Sequence, residues 1–317
     1  MALLIVQRES AMVSTFLERE KRGMAVRFSE QESLIVDNAT GLVWLKDALS
    51  AETGLSWPET FDFIDEMNRK KVADRSDWRL PNRRELYSLV DHSMREPALS
   101  KDHPFINVWA GKYWTSTTSA RSKAYAWWVQ LSGGRMFFGN KSDDCMVWPV
   151  CGTSETLHAT GQTACYNVAG EEVQCDGLKQ DGAIQAGLPW PEPRFIPQDD
   201  GILDAMTGLI WTESADLAEG MTDWRSAQDI ITGMADQTGM AWRMPTIMEL
   251  ESLTDCDHAD PALPQGHPFT DVNEAYWSAT TSGYDADWAF CLYFHKGAVG
   301  VGYKSNLDFH VWAVREE

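Results

Sequence analysis

The 317 residues are enough for two domains of ordinary size, each with its own core, and a composition of 44% hydrophobic and 23% charged residues is that of a folded chain. A formal charge of −20 opposes binding to nucleic acid or anionic membrane, both of which need clustered Lys and Arg. The apolar run at residues 2–6 is too short for a signal-peptide core, and no other stretch is long enough to span a bilayer.

From this the expectation is a cytoplasmic protein, or one whose export signal lies outside the sequence. Residues 1–26 read as an extension, with a short amphipathic helix over 10–22 and Thr15 and Glu18 at capping-box spacing. A repeat follows. Arg27, Phe28, Gln31 and Asp37 return as Arg194, Phe195, Gln198 and Asp204, and the stretch 37–44 returns as 204–211. Each copy of that stretch is a polar turn with Gly at the bend, feeding a short strand that ends in Trp44 or Trp211. The Asp is read as a turn cap. A structural calcium is the alternative, which no loop of alternating oxygen ligands supports.

A helix comes next in each copy. Ser56 and Glu59 cap a face of Trp57, Phe61, Ile64 and Met67; in copy two Asp223 precedes Trp224, Ala227, Ile230, Ile231 and Met234. The most repeated feature is Trp78-Arg79-Leu80-Pro81 with Glu85-Leu86, matched by Trp242-Arg243-Met244-Pro245 with Glu249-Leu250. Pro ends the preceding extended segment, and Asn82 or Thr246 starts a second helix. Trp78, Arg79, Pro81 and Glu85, with Trp242, Arg243, Pro245 and Glu249, are therefore read as framework like Trp44 and Trp211. Arg79 is expected to tie loop carbonyls or Asp91. His103-Pro104-Phe105 and His267-Pro268-Phe269 read as anchored loops, since no second His or Cys stands at ligand spacing.

The last third of each copy reads as antiparallel strands: 113–118 with 276–281, 126–131 with 289–294, and 147–150 with 311–314. Alternation points Trp127, Val129 and Leu131, and Phe290, Leu292 and Phe294, inward, leaving Trp128, Gln130, Tyr293 and His295 outward. Between the copies, 151–193 reads as a semi-rigid linker rich in Gly and Pro. It carries a hairpin turn at Ala169-Gly170 that brings Cys165 and Cys175 within reach of a disulfide. The other four cysteines have no CxxC spacing, so neither zinc nor another cofactor is expected. The chain thus divides into 1–26, copy one at 27–150, the linker at 151–193, and copy two at 194–317.

Taken together, Asp-x-x-Thr-Gly-Leu-x-Trp, Trp-Arg-Leu/Met-Pro-x-x-x-Glu-Leu, His-Pro-Phe, Tyr-Trp-Ser/Thr and a terminal Lys-Ser followed by Val-Trp-x-Val resemble the Legionella collagen-like protein C-terminal domain family. The resemblance covers nearly everything from residue 27 onward. It implies an α+β chain of two tandem C-type-lectin-like domains, related to the formylglycine-generating-enzyme type, each with two helices and a small, mostly antiparallel sheet. Such domains are similar to adhesins at bacterial surfaces, which implies the cell surface or periplasm. The collagen-like adhesin binds sulfated glycosaminoglycans, a ligand that a charge of −20 disfavours, and the Glu-Pro-Asn and Trp-Asn-Asp motifs of calcium-dependent sugar binding do not occur.

The leading functional expectation is non-enzymatic recognition of a glycan or protein by two lectin-like surfaces. Its candidate contacts are residues that differ between copies on the last strands: Trp128, Gln130, Arg135, Phe137 and Lys141, with Tyr293, His295, Lys296 and Tyr303. The alternatives are a subunit of a larger assembly and, behind it, an oxidase. Cys256 and His258 beside Asp255 and Asp257 form the one suggestive cluster for an oxidase, and it reads better as a loop.

Overall fold

The computed structural model describes residues 26–317; the expected helix over residues 10–22 lies outside the described residues. Copy one runs β1 (Phe28–Gln31), β2 (Leu34–Asp37), β3 (Val43–Leu45), α1 (Trp57–Lys70), α2 (Arg83–Tyr87), β4 (Lys112–Thr118), β5 (Tyr125–Gln130), β6 (Arg135–Asn140) and β7 (Val150–Cys151). The intervening segment holds β8 (Cys165–Tyr166), β9 (Glu172–Val173) and α3 (Asp181–Ile184). Copy two repeats the first order as β10 (Phe195–Gln198), β11 (Gly201–Asp204), β12 (Leu209–Trp211), α4 (Trp224–Thr238), α5 (Ile247–Ser252), β13 (Ala275–Thr281), β14 (Trp288–Tyr293), β15 (Ala298–Tyr303) and β16 (Val314–Glu316).

Local chemistry accounts for these elements. Asp37 accepts from the Ala39 amide at 3.0 Å and pairs with Arg27, and Asp204 does the same with Met206 at 3.1 Å and Arg194, so each Asp holds its turn. Asn82 and Thr246 cap α2 and α5, with Glu85 and Glu249 closing the capping boxes. Arg79 grips Glu85 with both terminal guanidinium nitrogens and also reaches the Gly152 carbonyl at 2.7 Å; Arg243 grips Glu249 at 2.8 and 2.7 Å. The repeated Arg therefore ties its own motif's Glu. Asp91, the expected alternative partner, accepts from Ser93 instead. Phe105 stacks edge-on against Trp148 at 4.7 Å and Phe269 against Trp312 at 4.8 Å, which holds the His-Pro-Phe loops.

Each copy keeps a four-stranded sheet, β1-β2-β3-β7 or β10-β11-β12-β16, but the remaining strands merge into one six-stranded sheet, β13-β14-β15-β6-β5-β4. The join is the antiparallel pairing of β15 with β6, in register at Val299 and Met136. Those two residues are 163 apart, the offset that relates Tyr113 to Tyr276 and Trp127 to Phe290. A residue facing its own counterpart lies on a local two-fold axis, so the copies meet as an isologous dimer does. One apolar core, with Trp127, Val129, Leu131, Phe290, Leu292 and Phe294, runs through both copies on one face of this sheet. On the opposite face α1 and α4 each cover a core of their own.

The interface core holds charge. Arg83, 1% exposed, donates to Glu251 at 3.2 Å and to the Gly297 carbonyl at 2.7 Å, with its guanidinium 4.0 Å from the Trp127 ring. Arg84 donates to the carbonyls of Ala159, Ser252 and Thr254, and its Nε lies 3.6 Å from Glu251. At the two ends of the interface, equivalent contacts recur with different chemistry: Tyr284 donates to Glu96 at 3.2 Å, and Arg121 to Asp260 at 3.4 Å.

Residues 151–193, read from composition as a semi-rigid linker, are packed against both copies. The Gln162 amide accepts from Thr118 N and donates to Thr118 O, both at 2.8 Å, and also reaches Cys256 O at 3.2 Å. Asn82 donates to Ala186 O at 3.0 Å. Cys165 and Cys175 are joined by a disulfide across the β8–β9 hairpin. Asp181 is fully buried; one oxygen accepts from Thr117 at 2.6 Å and Thr160 at 2.7 Å, and the other has no partner. Burial pushes its carboxyl up to about 6, against the two hydroxyls that favour the charge.

Two outcomes follow from these buried charges. Glu251→Ala strands two guanidinium groups and is expected to cost about 3–5 kcal/mol in urea unfolding, whereas Asp229→Ala in the exposed Arg225–Asp229 pair costs about 0.5 kcal/mol or less. For Asp181 the folded state holds the proton more tightly than the unfolded chain. Its contribution is fully present below about pH 4 and is lost as the pH rises through about 6. Asp181→Asn removes that ionisation, so its melting temperature relative to the unsubstituted protein should rise between pH 4 and 7; a difference constant with pH would contradict the assignment.

Candidate functional site

The turn leading into β14 is built to lie across copy one. The Gly283 amide donates to the His92 carbonyl at 2.8 Å, and a Cβ at Gly283 would meet the Ser93 backbone at 2.3 Å, so only glycine permits the crossing. Tyr284 follows, its ring 3.6 Å from where a Cβ on Gly133 would stand. Gly133 and Gly134, at φ of +80° and +67°, form the tight turn between β5 and β6. Asp285 accepts from the Asp287 amide through Oδ1 at 2.9 Å and from the Trp288 amide through its carbonyl at 3.1 Å, which starts the strand with Trp288 facing out.

Between the two turns lies a cleft of about 460 Å³, lined by Ser132, Gly133 and Arg135 from copy one and by Ser282, Tyr284, Asp285, Trp288 and Val301 from copy two. Tyr284 is 52% exposed and Trp288 36%. Beside Trp288, in register across the ladder, Tyr303 is 39% exposed, its ring 5.5 Å away at 64°. The Glu96 carboxylate accepts from Ser132 at 3.3 Å and Tyr284 at 3.2 Å, so it braces both walls.

Of the residues expected to face outward, Arg135 lines this cleft and Tyr303 adjoins it. The others stand elsewhere. Trp128 is only 9% exposed and belongs to the core under α1, with the Lys112 ammonium 4.6 Å from its ring. Lys141 is wholly buried, donating to the carbonyls of Tyr166 at 3.0 Å and Asn167 at 3.2 Å and lying 4.2 Å from the Trp57 ring. Burial, with Lys123 nearby, brings its ammonium down to about 7. It anchors the disulfide hairpin and presents nothing to a ligand.

Phe137 and Tyr293 meet across the junction as tilted rings 6.1 Å apart, with the Lys296 ammonium 4.6 Å from Tyr293 and 5.2 Å from Phe137. Gly300 makes room for this trio, since a Cβ there would meet the Tyr293 ring at 2.7 Å. Gln130 accepts from Arg135 at 3.4 Å. His295 borders a separate depression of about 230 Å³ beside Glu274, whose carbonyl lies 3.2 Å from its Nδ1.

The strand-face reading misses Ser132, Ser282, Tyr284, Asp285 and Trp288. Their signal is in the turns: Tyr284 and Trp288 stand where copy one has Arg121 and Tyr125. The remaining reactive types do not converge. Cys145, Cys151, Cys256 and Cys291 are buried, and burial pushes each thiol up to about 12. Beside Cys256, Asp255 accepts an Asp257 amide bond and pairs with His258 at 3.0 Å, while Asp257 binds Thr163. His103 and His267 tilt over Phe105 and Phe269. Among the described residues, no group of three or more His, Cys, Asp or Glu is placed to hold a metal, and no helix is long and apolar enough to cross a membrane.

No curated protein matches the chain. A family model described as the Lcl C-terminal domain matches residues 33–151 and again 200–315. The two matches coincide with the two structural copies and together span well over half of the sequence; the protein belongs to the Lcl C-terminal domain family and carries that domain twice.

Proposed function

We propose that the protein is a non-enzymatic recognition module: two C-type-lectin-like domains fused as a pseudo-dimer, with the cleft between them as the site for a glycan or protein ligand. The observation that carries this reading is the pair Tyr284 and Trp288, left exposed at a cleft that also offers Arg135 and Asp285. Large aromatic faces beside a few polar groups are what a binding site presents. The deep burial of the four unpaired thiols, with their raised pKa, supports binding over oxidase chemistry. A disulfide at Cys165–Cys175 fits the oxidising environment of a cell surface or periplasm.

A second reading, an accessory subunit, rests on Ile106 and Trp109, half-exposed on one loop of copy one where copy two has Thr270 and Asn273.

The cleft reading predicts that Tyr284→Ala with Trp288→Ala weakens binding on a glycan array or to an immobilised protein ligand by about tenfold or more, a change of about 1.4 kcal/mol, without loss of the fold by circular dichroism. Trp128→Ala, by contrast, acts on stability, costing about 3–5 kcal/mol as a buried aromatic truncation. Unchanged binding by the cleft variant refutes the site.

A further inference from the structure

Resting on that reading of the cleft, we infer that its ligand is an uncharged, polyhydroxylated chain, a neutral oligosaccharide of pyranose rings. The inference comes from which hydrogen-bonding capacities the walls leave open. Asp285 spends Oδ1 on the Asp287 amide, and its second oxygen is left to accept. Ser282 accepts the Tyr284 amide at 3.2 Å, which leaves its own hydroxyl proton to give. Arg135 spends one nitrogen on a long bond to Gln130 at 3.4 Å and keeps the rest of its donors.

The cleft therefore offers donors and acceptors side by side. A sulfate or carboxylate only accepts and would meet the Asp285 oxygen unpaired; an ammonium only donates and would face Arg135. A hydroxyl does both, so a polyol satisfies every group without leaving a like charge opposed. Arg135 and Asp285 also cancel in charge, and Glu96 behind them adds negative potential to a chain already at −20.

Shape agrees with this chemistry. One face of a pyranose is a sheet of C–H bonds, apolar enough to lie on an aromatic ring, while its rim carries hydroxyls for the flanking polar groups. Tyr284 and Trp288 supply such rings inside the cleft, and Tyr303 continues the aromatic surface past Trp288. At about 460 Å³, the cleft falls within the roughly 300–1,000 Å³ of ordinary small-molecule sites, and the exposed Tyr303 ring beside Trp288 extends the aromatic surface beyond it, which suits a short stretch of a longer chain.

The test is isothermal titration of the full chain with maltotriose, cellotriose, mannotriose and tri-N-acetylchitotriose, alongside a heparin-derived hexasaccharide. At least one neutral trisaccharide should bind, with an affinity that barely changes up to about 0.5 M salt because no net charge is screened. Trp288→Ala should weaken it by about tenfold or more, and Asp285→Ala likewise. If the hexasaccharide alone binds and Trp288→Ala removes it, the cleft is the site and the ligand class is wrong. If a neutral sugar binds equally to Trp288→Ala, the cleft itself is wrong. Binding of none of the neutral sugars overturns the inference, and the array and protein-ligand comparison of the Tyr284→Ala/Trp288→Ala variant then judges the cleft independently.

Discussion

A single strand pairing organises this molecule, the one that β6 makes with its own repeat, β15. In either copy alone that strand would be the open edge of a three-stranded meander, a row of unpaired amides and carbonyls inviting association. Pairing the two edges closes both at once and extends one apolar core through the chain. Because the axis passes between Met136 and Val299, residues close to it meet their own counterparts, and each contact farther out recurs with the roles of the copies exchanged. Identical copies would then have to be self-complementary twice over. Divergent copies need only be complementary once, and the observed differences come in such pairs: Phe137 fills the space that Gly300 vacates, and Arg83 meets Glu251 where the reciprocal positions are the apolar Ile247 and the ring of Tyr87.

The segment between the copies adds to the asymmetry. Its hairpin settles on the copy-one turn at Lys123 and Ala124, so closely that a Cβ on Gly170 would meet the Ala124 amide at 2.7 Å. Lys141 pins the hairpin from inside, and Lys123 lies over its Tyr166 ring at 4.4 Å. That turn is the counterpart of residues 286–287, next to Asp285 and Trp288. The hairpin thus packs on the copy-one turn whose counterpart in copy two adjoins the cleft, and the two turns are left in different surroundings.

Much of this was legible in the sequence because it was written twice. The repeat located both copies, and the Trp, Arg, Pro and Glu of the central motif, the capping boxes and the turn Asp residues play the architectural parts that their chemistry suggests. The errors share one physical cause. Alternation along a strand identifies an outer face only when one side of the sheet meets water, and the helices α1 and α4 roof the side that alternation assigned to solvent. Trp128 and Lys141 are consequently interior. A lysine whose donors all reach backbone carbonyls or a ring looks no different in sequence from one on a surface. The cleft was hidden for another reason: Arg135 and Trp288 are 153 residues apart and become neighbours only through a junction that no local pattern encodes.

Tandem lectin-like surfaces joined by a spacer suggest two tethered sites and a gain from avidity. A packed segment, a continuous sheet and a shared core leave no freedom for independent engagement. What the fusion provides instead is a composite cleft, in which copy two supplies the aromatic faces and Asp285 while copy one supplies Arg135 and the Ser132 wall. The framework motif is committed to holding each core, and the junction is committed to complementarity. The turns at 132–134 and 282–288 are fixed by glycines at their crossing points yet carry exposed side chains, so the cleft lining can change there without disturbing either core.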